Sequence, residues 1–275
     1  MGKWVKGANM IKIYKSSRKT VYLIGELHFD KKCIVDPYEI LIEDLFKERL
    51  QHSTQKVAVF VETSVNAQSE MVQKSGVYQI TQAFSECLTK MTARKECEKY
   101  NSTFYDADTR HNLPNYINFE HLLISPSEWE KYPVDFSLLR NPMELLKTAG
   151  ITEEFFTPTF FQFRKKVMKQ YNRYYETITK SPVNFDNIQS KLESHDSLKE
   201  IGEFLKYVRF IYANTMDVCM MMDLYLTKAP IIIIVAGTAH ILNVENYLQN
   251  IYEKTYEYVN PDGFDCIPLE KFEFI

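Results

Sequence analysis

Two apolar runs in this 275-residue chain stop on the same signature. "VYLIGELHFD" rises from Val21 and halts on Gly25-Glu26-Leu27-His28, and "IIIIVAGTAH" rises from Ile231 and halts on Gly237-Thr238-Ala239-His240. A short continuous apolar run rich in β-branched residues reads as a strand buried on both faces, the kind found in parallel sheets covered by helices. With 8 glycines and 6 histidines in the chain, chance supplies only about 0.2 Gly-x-x-His tetrads, so a pair of them at strand ends calls for an explanation. Ligands of open parallel sheets bind beyond the carboxyl ends of the strands. His28 and His240 are therefore expected to meet there, although 212 positions separate them (240 minus 28).

The remaining pattern supports a sheet of that kind. "MIKIYK" and "TVYLIGE" read as strands, and Asp36-Pro37 opens a helical pattern through "YEILIEDLFKERLQH". "KVAVFVET" is a buried strand, "VYQITQAFSECLTKMTARKECEKY" a long helix, and "STFYDADTR" a further strand. From about Leu113 to Ser194 this rhythm breaks into scattered prolines and the aromatic run "EEFFTPTFFQFRKKVMKQYNRYYETI". A long helix to about Thr227, the strand "PIIIIVAG", the helix "ILNVENYLQNIYEK" and the strand "YEYVN" then restore it. The expected fold is α/β, with a mostly parallel central sheet flanked by helices. Residues 1–112 and 195–275 would form the two halves of the core, and 113–194 a helical insertion capping the crevice with its phenylalanines.

Two more strand ends are polar. "AVFVETS" closes on Glu62, and "FYDADTRH" on Asp106, Asp108, Arg110 and His111. If these strands are neighbours, one crevice gathers Glu26, His28, Glu62 and His240. Two imidazoles and two carboxylates suit a divalent zinc, manganese or cobalt ion, and equally suit acid-base chemistry without a metal.

Composition excludes other classes. The net charge of -3 gives no whole-molecule attraction to nucleic acid or an anionic membrane. There is no phosphate-binding glycine loop, nucleophile elbow or His-Glu-x-x-His helix. The longest apolar run, Ala229 to Ala239, is well short of the roughly 20 residues of a membrane span, and "MGKWVKGANM" lacks a signal-peptide core. Five dispersed cysteines without Cys-x-x-Cys point away from a disulfide framework and toward a reducing compartment. A soluble, cytoplasmic or other intracellular protein is expected. The Lys-, Asn- and Tyr-rich usage is that of an AT-rich genome, a viral source included. The basic stretch Arg164, Lys165, Lys166, Lys169 and Arg173 reads as the solvated face of an amphipathic helix, and Met220, Met221 and Met222 as core.

"GELH" after the first core strand, the glutamate of "FVETS", a helix carrying "DVCMMMDL" and then "IIIIVAGTAHILNVENYL" resemble the erythromycin esterase/ChaN-like superfamily, which includes the Tiki, TraB and PrgY proteins. The resemblance covers the amino-terminal third and the last quarter of the chain. It implies an active site of Glu26, His28, Glu62 and His240. Tiki-type members are metal-dependent proteases, the esterases open a macrolide lactone, and ChaN-like members bind haem. The family places an arginine in the helix before the second motif, where this chain has Asn214 and Asp217; Arg110 resembles the Asp-Arg pair of the TraB branch and would supply that charge. The resemblance thus implies a metal-dependent hydrolase of a peptide, ester or lactone, in which Glu26 or Glu62 shuttles the proton and Arg110 steadies the oxyanion. The alternative is an inactive member that binds a small ligand or haem, or serves as a structural protein.

Overall fold

A computed structural model describes residues 3–27, 39–63, 75–88, 95–114, 116, 118–119, 123, 134–194, 197–249, 251–261 and 266–272. The strands are β1 (Trp4–Lys6), β2 (Met10–Lys15), β3 (Thr20–Glu26), β4 (Glu39–Leu41), β5 (Val57–Val61), β6 (Lys95–Cys97), β7 (Ser102–Asp106), β8 (Ile231–Gly237), β9 (Glu253–Val259) and β10 (Cys266–Pro268). The α-helices used below are α1 (Ile42–Gln51), α2 (Gly76–Ala83), α3 (Pro142–Thr148), α4 (Phe161–Lys180), α5 (Ile188–Ser194), α6 (Leu198–Leu226) and α7 (Thr238–Leu248).

The fold is α/β. Among the described residues a seven-stranded sheet runs in the order β6-β7-β5-β8-β3-β2-β9, and a three-stranded sheet in the order β10-β1-β4. The four central strands β7, β5, β8 and β3 are mutually parallel, while β2, β9 and β6 add antiparallel margins. All of β5, and β8 after its first residue, are buried, as strands covered on both faces must be. Side chains alternate across the sheet. Ile11, Ile13, Tyr22, Ile24, Val57, Val59, Val61, Ile233 and Val235 share one core cluster with Leu45 and Phe46 of α1 and with Val77 and Ile80 of α2. The intervening residues face the opposite side, where α7 packs on β3 and β8.

Two element expectations are corrected. The stretch 77–100 is not one helix: α2 ends at Ala83, the chain turns, and Lys95–Cys97 pairs antiparallel with β7. Helical propensity in "KECEKY" yields to the open ladder of β7, because tertiary pairing outweighs local preference. Likewise Glu39–Leu41 is a strand parallel to β1, and α1 begins only at Ile42.

The cysteines also depart from expectation. Cys87 and Cys97 form a disulfide with their Cα atoms 5.3 Å apart, Cys266 is disulfide-bonded as well, and Cys219 is a buried free thiol. Cys87, just after α2, is thereby joined to the marginal strand β6. Cys33 lies outside the described residues. Replacing Cys87 and Cys97 with serine should lower stability by about 2–3 kcal/mol, the cost for a loop of this length, read as a lower melting temperature than that of the parent chain under non-reducing conditions.

By contacts the chain divides into Met1–Asp108 with Asp223–Ile275, and Thr109–Met222. Most of α6, which the sequence places with the carboxyl-terminal half of the core, counts with the second unit. That unit is helical. Asn141 caps α3 by accepting from Met143 N and Glu144 N, with Pro142 at the first helical position. Helix α4 buries Phe163, Val167, Tyr171 and Ile178 and exposes Lys165, Lys169 and Arg173. Tyr171 meets Thr215 of α6 at 2.6 Å, and Met220, Met221 and Met222 are all buried. No helix among the described residues is long and apolar enough to cross a membrane.

Candidate functional site

The parallel strands β7-β5-β8-β3 are adjacent, so the residues at their carboxyl ends line one sheet edge. Val61 lies in register with Val235, and Glu26 with Gly237. The ladder continues one step, with Glu62 N donating to Val235 O at 3.0 Å. There β8 passes directly into α7, with Gly237 as the N-cap residue. Its φ of -55° is one that any residue adopts, so the glycine is not needed there for a sharp turn. Gly25 has a different reason: a Cβ would lie 3.3 Å from Thr238 Oγ1 and 3.4 Å from the Met10 sulfur.

Glu62, 6 % exposed, spans the gap between β5 and α7. Its Oε2 accepts a 2.7 Å bond from Gly237 N, and its Oε1 lies 3.4 Å from His240 Nε2. His240, 9 % exposed, is held by the first turn of α7. The carboxylate thus sits at a helix amino terminus, where the dipole favours negative charge, with its remaining oxygen turned to an imidazole.

Glu26, 1 % exposed, is held in a parallel manner. Its Oε2 accepts from Val77 N at 2.8 Å, an amide in the first turn of α2, whose N-cap Ser75 accepts from Tyr78 N at 3.2 Å. Thr238 Oγ1 lies within donor reach of Glu26 O (3.0 Å) and Asn9 Oδ1 (3.1 Å), tying the start of α7 to the end of β3. Across β5, Asp106 Oδ1 accepts from Thr63 Oγ1 at 2.6 Å and from Asp108 N at 2.9 Å.

The sequence-derived set is thus placed as follows. Glu62 and His240 are in contact, and Glu26 stands on the strand beside β8 at the same edge. His28 lies outside the described residues. Arg110 belongs to the second unit, where its guanidinium sits 5.4 Å from the centre of the Tyr116 ring. Asn214 and Asp217 are buried in α6.

The donor set can be tested against a metal. An N–H···O bond spans 2.7–3.2 Å, whereas two ligands at roughly 2.0–2.1 Å on a tetrahedral ion lie about 3.3–3.4 Å apart. The Glu62–His240 separation of 3.4 Å matches the second figure, so this pair fits two adjacent positions on such an ion. No group of three candidate ligands converges among the described residues.

A second polar cluster was not legible from the sequence. Lys12 of β2, 4 % exposed, contacts Glu245 Oε2 of α7 and Glu257 Oε1 of β9, each at 2.7 Å. Tyr14 donates to Glu245 Oε1, and Lys254 lies 3.5 Å from the same oxygen and 2.7 Å from Glu257 Oε2. Burial alone would raise the Glu245 carboxyl, but bonds from Lys12 and Tyr14 outweigh it and hold the group below its ordinary range. Bonds from Lys12 and Lys254 likewise lower Glu257, and burial followed by the Glu245 bond raises the Tyr14 hydroxyl. A carboxyl lowered by folding binds fewer protons folded than unfolded, so its stabilisation is present above the ordinary value of 4.5 and is lost as pH falls through the depressed folded value. The melting temperature should therefore fall more steeply below pH 4.5 in the parent chain than in Lys12→Met, Glu245→Leu. Parallel acid profiles of the two proteins would refute this assignment.

No family model, curated protein or solved structure matches the chain.

Proposed function

We propose that this protein is a hydrolase acting on a peptide, ester or lactone bond, with Glu62 and His240 as its working pair. One observation carries the reading: a buried carboxylate and imidazole 3.4 Å apart at the carboxyl edge of parallel strands, the carboxylate fixed from behind by Gly237 N. Glu62 Oε1 takes the proton of the attacking water and returns it to the leaving group. Between the two carboxylates this favours Glu62 as the proton carrier, since its Oε1 lies 3.4 Å from His240 Nε2. Glu26, gripped by Val77 N, orients rather than shuttles. A zinc, manganese or cobalt ion, when bound, would be held by His240 and Glu62, with His28 of the first Gly-x-x-His motif as the further ligand that the sequence offers, and would supply a water acidic enough to react near neutral pH.

The test is a cobalt titration followed in the visible range, beside hydrolysis assays on peptide, ester and lactone substrates. His240→Ala should weaken cobalt binding by more than roughly 100-fold, since changes to mere outer-shell partners already cost 10–100-fold, and should abolish turnover. Equal metal content in the parent and His240→Ala would end the proposal. A second reading is favoured by buried Asn214 and Asp217 in the helix where the resemblance places an arginine: a carrier that keeps the crevice and has lost the chemistry, haem being one occupant. A haem absorbance band in the purified protein, without turnover of any substrate, would select it.

A further inference from the structure

Helix α7 carries His240 in its first turn and Glu245 five residues later, about 7.5 Å along the axis and turned by roughly 140°. The two residues meet different parts of the first unit. His240 faces Glu62 beyond β5, whereas Glu245 reaches the margin of the sheet and meets Lys12 and Tyr14 of β2 and Lys254 of β9. On the same helix, Ile241, Val244 and Leu248 are fully buried. That apolar stripe holds the helix to the sheet, but apolar burial is non-directional and tolerates small slides and rotations. A reactive pair must be held to within roughly 0.5 Å. Directional contacts have to supply that accuracy.

The cluster has the form such a role requires. Three donors from two strands converge on one carboxylate, and Lys12 is divided between Glu245 and Glu257, so neither β2 nor β9 can move along α7 without breaking a short bond. Burying the charges of Lys12 and Glu245 is costly, and apolar side chains of similar size would serve stability as well or better. Its use lies in setting register.

We propose that Glu245 is a positioning residue, clamped by Lys12, Tyr14 and Lys254 so that α7 presents His240 to Glu62 at one fixed height and angle. The proposal rests on the reading of Glu62 and His240 as the working pair.

The experiment uses the full chain without metal and reads the ring-nitrogen resonances of ¹⁵N-labelled His240 at one fixed pH, with His240→Gln as the assignment control. In the parent, Glu62→Gln should displace these resonances. In Lys12→Met, Tyr14→Phe, Glu245→Leu, which exchanges the cluster for apolar groups of like size, the same Glu62→Gln change should displace them by less than half as much. An equal displacement in both backgrounds overturns the positioning role. So does no displacement in the parent, since the two side chains then do not meet. If the triple variant does not fold, Tyr14→Phe alone, which removes one donor from Glu245, takes its place; a smaller displacement supports the role and an undiminished one overturns it. The cobalt titration of the parent stands apart: its failure sinks the metal-dependent hydrolase while the comparison of resonances still decides what Glu245 does.

Discussion

Replacing Gly76 with alanine should destabilise the protein by roughly 3–5 kcal/mol, the sum of an overpacking cost and a broken bond to a buried carboxylate. The first residue of α2 sits directly on the backbone of Gly7, which itself adopts a φ of +103°. A Cβ at position 76 would lie 2.0 Å from Gly7 O and 2.8 Å from Gly7 Cα. These are backbone atoms, so no side chain can swing away, and the helix must retreat. Retreat withdraws Val77 N from Glu26 Oε2 and disturbs the packing of Val77 and Ile80. Gly202 is the control. It lies inside α6 with nothing within 4 Å of its added Cβ, so Gly202→Ala should stabilise by about 0.5–1 kcal/mol through helix propensity. Thermal melts of the two variants beside the parent decide the matter, and a Gly76→Ala melt matching the parent would show that the two backbones do not touch.

Ile233→Ala should cost on the order of 2–5 kcal/mol, through lost burial and the cavity left behind. Ile233 is fully buried in the strand that separates β5 from β3, in register with Val59 and Tyr22, and the side chains around it come from both α1 and α2. Such a site has no free side on which to collapse. His240→Ala, at the polar end of the same strand-helix junction, leaves no apolar cavity and should cost much less while removing metal binding. Paired melts without metal test the contrast. If His240→Ala falls as far as Ile233→Ala, the imidazole is chiefly a structural element and the hydrolase proposal loses its main residue.

The strands most legible in the sequence were those whose environment leaves a composition signature. Burial on both faces demands an unbroken apolar run, and "IIIIVAG", "TVYLIGE" and "VAVFV" have one. The meeting of Glu62 with His240 followed from two strand ends lying on adjacent strands, a matter of topology. What stayed hidden depends on groups without a sequence signature. The amides of Gly237 and Val77 that hold the two glutamates are main-chain atoms. Lys12 in "MIKIYK" gives no sign of its partner, because Glu245 is 233 positions away. Lys95–Cys97 became a strand only because β7 offered an open edge.

The position of β8 between β5 and β3 has a consequence for the chain while it is being made. β5 ends at Val61 and β8 at Gly237, 176 residues later (237 minus 61). At 5–20 residues per second this interval lasts on the order of ten to thirty seconds, during which two of the most apolar strands emerge without the neighbour that joins them. Each carries an unpaired edge, the template on which nascent chains associate. Growing polypeptides of this protein should therefore depend on holding chaperones until Ile231 to Gly237 arrive, and a chain released before that segment should be found in inclusion bodies.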